Sequence, residues 1–252
     1  MESVLHFCDE LLGVEGHPDY PPALNGLQVE GAPDRPVRRV AAAVDASETV
    51  LSRAAAAEVD LLVVHHGLFW GGLRPVTGRH YRKLSHLIRS GTALYSAHLP
   101  LDAHPDIGNS ALLARALGLE VAGPFGEYKG VSIGWRGRTP EAWTADALVA
   151  RAGAAVGGPA RVMGEGPTDI RTVAVVTGSG ASFLSDAAAA GIDALVTGEA
   201  AHHNFMDACE LGVHLVLAGH YATETFGVRA LADRIAEHFG VESLFIDDPS
   251  GL

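Results

Sequence analysis

Slid along itself by 133 positions, so that Val40 falls on Val173, the chain aligns residues 40–67 with 173–200 without a gap. Hydrophobic run falls on hydrophobic run, Leu51-Ser52 on Leu184-Ser185, Asp60 on Asp193 and Leu62-Val63 on Leu195-Val196. A second offset, 122, places His98 on His220, Asp102 on Glu224 and Gly118 on Gly240. Self-similarity of this kind marks an internal duplication. One copy reads as strand, helix, strand: Val40–Val44, then a Ser47 cap and the Ala-rich helix 48–57, then Leu61–Val64, the spacing of a parallel sheet. The duplication predicts an α/β fold, read as a three-layer α/β/α arrangement, either one large domain or two interlinked lobes whose similar half-sites could face each other across a central cleft. The expected divisions are a first lobe over 1–126, an α+β insert over 127–170 and a second lobe over 171–252.

The four aliphatics Leu61–Val64 run straight into two imidazoles, His65 and His66. In open α/β sheets, chemistry gathers at the carboxyl ends of strands. Two further hydrophobic runs end in the same way: Ala93–Ala97 at His98, with Asp102 four residues on, and Leu215–Ala218 before His220, with Glu224 four residues on. On a helical turn, side chains at that spacing share a face. Imidazole nitrogens and carboxylate oxygens are the donors of a borderline divalent ion. Five of them, His65, His66, Asp102, His220 and Glu224, exceed one tetrahedral shell and suit two ions sharing a carboxylate, with Asp102, on a loop after Pro100, as the bridge. His98 is the sixth group, either a further ligand or the catalytic acid/base. This donor set admits zinc, manganese, iron, cobalt or nickel.

The remaining composition narrows the class. Cys8 and Cys209 are the only cysteines, so neither a disulfide framework nor a thiolate zinc site is expected. A formal net charge of −12 without a basic run disfavours a nucleic-acid partner. No apolar run reaches bilayer length and the N-terminus lacks a signal core, which predicts a soluble, cytoplasmic protein. Within the insert, Tyr128–Arg138 alternates as a strand, a helix is expected from Thr139-Pro140-Glu141 to Gly153, and no histidine occurs. Gly178-Ser179-Gly180-Ala181 reads either as an anion cradle or as a tight turn, and Asn25-Gly26 as a plain turn. Glu199, His202 and His203 are candidates for groups facing a ligand or supporting the site, or else for the surface start of a helix.

The ordered motifs Asn25-Gly26-Leu27-Gln28-Val29, Val64-His65-His66-Gly67, His98-Leu99-Pro100-Leu101-Asp102, Asp106-Ile107-Gly108-Asn109, Thr197-Gly198-Glu199 and Gly219-His220-Tyr221-Ala222-Thr223-Glu224 resemble those of the NGG-interacting factor 3-like family, whose members are often named GTP cyclohydrolase 1 type 2 homologues. The resemblance covers nearly the whole chain and is to the short form of the family. It implies two linked α/β lobes, a two-metal centre held by His65, His66, Asp102, His220 and Glu224, and a toroidal homohexamer. Leu99 departs mildly from the family pattern beside His98. The function implied is metal-dependent hydrolysis of a nucleotide-like substrate, such as opening of the GTP imidazole ring, with His98 as proton shuttle. The competing readings are a two-metal phosphoesterase and a metal-handling or regulatory scaffold without turnover.

Overall fold

The computed structural model describes residues 1–252. Eleven strands occur in chain order: β1 (Gly26–Val29), β2 (Arg39–Asp45), β3 (Leu61–His66), β4 (Ala93–Ser96), β5 (Glu120–Tyr128), β6 (Val131–Trp143), β7 (Arg161–Met163), β8 (Ile170–Val175), β9 (Ala194–Thr197), β10 (His214–Leu217) and β11 (Glu242–Phe245). They form two sheets, ordered β1-β4-β3-β2-β11 and β5-β6-β8-β9-β10-β7. The architecture is mixed α/β, two sheets flanked by helices. The chain divides into one compact unit of Met1–Leu101 with Gly227–Asp248 and a second of Asp102–Phe226 with Pro249–Leu252, a different division from the segments 1–126, 127–170 and 171–252 read from the repeat.

In the first unit, β2, β3, β4 and β11 run parallel and β1 is an antiparallel edge. Ser47 caps the helix Glu48–Ala56, its hydroxyl accepting from the Val50 N–H at 3.0 Å. Ala41, Ala43, Leu62, Val64 and Leu94 pack with Val50, Leu51, Ala54 and Leu87 from the helices. Each fully buried Val or Leu of this kind contributes about 1.5–3 kcal/mol.

The second unit repeats the plan. Val40 pairs with Leu61 across β2 and β3, and Val173, 133 positions on, pairs with Ala194 across β8 and β9. Val173, Val175, Ala194, Val196 and Val216 enter one core. Alternate residues Ala174, Val176, Leu195, Leu215 and Leu217 enter another. Successive strand residues point to opposite faces, so this sheet is buried on both, as its unbroken aliphatic runs require.

Several expectations are corrected. The helix expected from Thr139 begins at Ala145, capped by Thr144, because β6 continues through Pro140 to Trp143. Pairing of β6 with β8 is irregular between Arg138 and Trp143, and such a break tolerates a proline that a regular ladder excludes. The strand expected over Tyr128–Arg138 is present as β6, which starts at Val131 and forms a hairpin with β5. Asp102 lies in a short helical turn, Leu99–Asp102, rather than on a loop. A helix then runs over Asn109–Ala116. The segment after the last helix (Thr225–Phe239) is a strand, β11, paired with β2.

Candidate metal centre

In the first unit three histidines converge. His65, fully buried, and His66 end β3, and His98 follows β4 by two residues. One ring nitrogen of each lies within 4.8 Å of the other two. Their Nδ1 atoms are all held: His65 by the Ala97 carbonyl oxygen, His66 by Asp45 Oδ1 and His98 by Asp19 Oδ1, each at 2.9 Å. An acceptor on Nδ1 places the proton there and leaves Nε2 as the lone pair. That is the tautomer in which histidine binds a metal, and an outer carboxylate or carbonyl also fixes the ring and raises its basicity.

His98 is the most heavily braced. Asp19, nearly buried, accepts from Tyr20 N at 2.6 Å, Asn25 Nδ2 at 2.8 Å and Leu99 N at 3.0 Å as well as from the ring. Asn25 Oδ1 accepts from His98 N at 2.8 Å. Burial favours the neutral carboxyl, but the bonds from His98 and Asn25 outweigh it and hold Asp19 below the usual carboxylate range. Neither Asp19 nor the Asn25 side chain was legible as functional, since Asn25-Gly26 reads as an ordinary turn signal. Gln28 likewise ties two loops together, its Nε2 donating to the Ala23 oxygen at 2.9 Å and its Oε1 accepting from Leu68 N at 2.8 Å.

The second unit carries Asp102, Glu199, His220 and Glu224. Asp102 is nearly buried, its Oδ1 accepting from Asn109 Nδ2 at 2.8 Å and from Thr177 Oγ1 at 3.4 Å. His220 opens a short turn, His220–Thr223. Its Nε2 is 3.2 Å from Glu224 Oε2 and its Nδ1 is 2.9 Å from Glu199 Oε1. Burial alone would lower the pKa of this imidazole, but the Glu224 and Glu199 carboxylates on its two nitrogens raise it to about 9. Glu199 is itself lowered, first by the Ser179 hydroxyl, which donates to it, and then by His220.

Gly178 and Gly198 make this packing feasible. A Cβ on Gly178, whose φ is +62°, would lie 2.1 Å from Glu224 Oε1, and one on Gly198 would lie 2.6 Å from the His220 Cα. The anion-cradle reading of 178–181 is not supported, because the N–H groups of Gly178 and Gly180 are already taken by the Thr223 and Thr197 hydroxyls. His202 and His203 are exposed in the turn before the helix Asn204–Leu211. The donors of each unit fit a borderline divalent ion: imidazoles with anchored Nδ1 atoms in the first, and a histidine flanked by carboxylates in the second, where an ion would replace the ring proton.

Residues 1–250 match the family profile described as Duf34/NIF3 (NGG1p interacting factor 3). A Halobacterium salinarum protein named GTP cyclohydrolase 1 type 2 homolog is 51% identical over 233 residues, covering 91% of each chain. A Deinococcus radiodurans protein of the same name is 45% identical, covering 100% of this chain and 94% of its own. The crystal structure of a Thermus thermophilus protein superposes with a TM-score of 0.90 at 43% identity, over 100% of this chain and 99% of that one.

Proposed function

This chain belongs to the Duf34/NIF3 family, and on that premise we propose that it is a metal-dependent hydrolase of a nucleotide-like substrate. In this reading His65, His66, Asp102, His220 and Glu224 hold two divalent ions. Once bound, the ions supply an activated water and polarise the bond under attack. The observation that carries the reading is the anchoring of Nδ1 in His65, His66 and His220 by an oxygen acceptor, which presets these rings as ligands.

His98 moves the proton. Asp19 holds its Nδ1, so Nε2 can take a proton from the attacking water and return it to the leaving group, and a carboxylate behind the ring stabilises the imidazolium that forms. The name of the curated relatives suggests GTP as substrate: attack at C8 of the purine opens the imidazole ring, and further hydrolysis releases formate. By the same family resemblance the protein is a homohexamer, which sedimentation would check. No helix is long and apolar enough to cross a membrane.

The test is the metal content of protein purified without chelator, followed by formate- and phosphate-release assays on GTP with the metal found. About two ions per chain and formate release support the proposal. Phosphate release without formate replaces it with a phosphoesterase. Tight metal binding with no product from a nucleotide panel replaces it with a metal-handling protein.

A further inference from the structure

The two repeats brace their histidines by different means. In the first, the acceptor on His66 Nδ1 is Asp45, the last residue of β2, which the ladder pairs with His66 itself. In the second, 133 positions on, Gly178 stands in place of Asp45 and Glu199 in place of His66. The bracing carboxylate therefore comes from the other member of the pair, and Glu199 Oε1 meets His220 Nδ1 at 2.9 Å from a position beyond the end of β9.

Such a brace is looser by construction. Glutamate has a longer and more freely rotating side chain than aspartate, Glu199 lies outside its strand, and its side chain is 44% exposed. Two groups hold the carboxylate: the His220 ring, and the hydroxyl of Ser179, which donates to the same Oε1 at 2.5 Å.

The Ser179 hydroxyl forgoes the use that its place in the chain offers. Ser179 is the N-cap of the 3₁₀ turn Gly180–Phe183, where a serine oxygen ordinarily accepts from an N–H of the first turn, and no such bond is made. The backbone on either side is pinned. Gly178 N donates to Thr223 Oγ1 at 3.1 Å, Gly180 N to Thr197 Oγ1 at 2.9 Å, and the Gly178 carbonyl oxygen accepts from Gly198 N and Glu199 N. Ser179 Oγ is 3.4 Å from His220 Nδ1, so its one proton serves the nearer, charged acceptor.

We propose that Ser179 is a positioning residue of the second unit: by orienting Glu199 it holds the His220 ring in the pose that presents Nε2 to a divalent ion. Partners behind a ligating histidine fix its ring and tune its affinity, and Ser179 stands one step further back. The inference rests on the reading of His220 as a ligand and adds the residue that sets how firmly that ligand is held.

Competition with a chromophoric chelator for zinc, on the full chain, measures this without reference to turnover. Ser179→Ala should weaken zinc binding about 10-fold, and Ser179→Thr, which keeps a hydroxyl, should recover the parent value. Glu199→Ala should weaken it about 10- to 100-fold, and adding Ser179→Ala to that variant should cost nothing more, because the hydroxyl acts only through the carboxylate. The melting temperature of metal-free Ser179→Ala should stay within about 2 °C of the parent, as for a surface substitution. In the same metal-free proteins the His220 Nδ1 proton, followed by NMR, should exchange with water faster in Ser179→Ala. Parent-like zinc affinity in Ser179→Ala overturns the proposal, as does an equal loss in the Glu199→Ala background or a threonine variant no better than the alanine one. A parent that takes up no zinc brings down the metal reading instead. Faster exchange at His220 would then keep Ser179 as the residue that orients the ring, and equal exchange would overturn that too.

Discussion

Asp60 and Asp193 hold the same position in two different sheets. Asp60 Oδ2 accepts from the N–H groups of Arg38 and Arg39 at the start of β2, and Asp193 Oδ2 accepts from those of Arg171 and Thr172 at the start of β8. Their backbones match as well: Asp60 N donates to the Arg39 oxygen and its carbonyl accepts from Ala93 N, as Asp193 N donates to the Thr172 oxygen and its carbonyl accepts from His214 N. Each aspartate thereby sets the register in which three parallel strands begin. Replacing either by alanine strands two backbone donors, so a loss of about 2–4 kcal/mol is expected in each case by urea denaturation. Asp60→Ala should cost more, since Asp60 is buried and also pairs with Arg35. A change below about 0.5 kcal/mol in both would show that the repeated motif has no structural role.

Asp19 offers a cleaner view of catalysis. Asp19→Asn keeps an acceptor of similar shape but removes the charge behind His98. We expect turnover to fall about 10²–10⁴-fold, the usual worth of a positioned acid/base, with metal content unchanged. Loss of metal in step with activity would point to His98 as a ligand instead.

His220 should give the metal-free protein a pH signature. Its folded pKa, about 9, is above the ordinary imidazole value, so the stability contributed by its ion pairs with Glu224 and Glu199 is fully present below about pH 6.5 and lost as pH rises through about 9. Melting temperature after chelation should therefore step down between those limits. In metal-loaded protein the step should shrink, because the ion takes the place of the proton. At pH 7 metal uptake should release a proton, seen as a buffer-dependent calorimetric heat. A buffer-independent heat would contradict this.

Gly178→Ala tests the close packing behind Glu224. The added methyl group meets Glu224 Oε1 and must sit at positive φ, so about 1–3 kcal/mol of stability should be lost and metal affinity should drop. Gly191→Ala is the control for the backbone term, having φ +66° and open space around it. Equal metal affinity in the two variants would remove Gly178 from the account.

The repeat, the parallel strands and the strand-end histidines are legible in the sequence because each depends on local pattern: aliphatic runs, a cap, an imidazole at a fixed place. What is not legible depends on distant partners. The Asp19 carboxylate meets His98 across 79 residues of chain, and nothing in Asp19-Tyr20-Pro21 separates it from any loop aspartate. The 122 offset matches His98 to His220 by type, whereas the ladders align β4 with β10 at 121: Leu61 pairs with Ala93, and Ala194 with His214. Gly219, at φ +90°, is the extra residue that carries His220 one place further from its strand than His98 is from β4. Helix and strand share the Thr139–Trp143 boundary ambiguously, because Pro at a helix start and Pro at a strand irregularity leave the same local trace.

The return of β11 to the edge of β2 has a consequence for biogenesis. From Asp45 to Glu242 the ribosome adds 197 residues, which takes roughly 10–40 s at about 5–20 residues per second. Throughout that interval the outer edge of β2, made of Val40, Ala41 and Ala42, lacks the strand that will cover it. An uncovered edge is a template for pairing with other nascent chains. Arg38 and Arg39 stand at its start, and cationic side chains at a strand edge discourage such pairing. The first sheet to begin is thus finished only after 197 further residues have been made, and until then Arg38 and Arg39 are what this strand itself offers against pairing at its open edge.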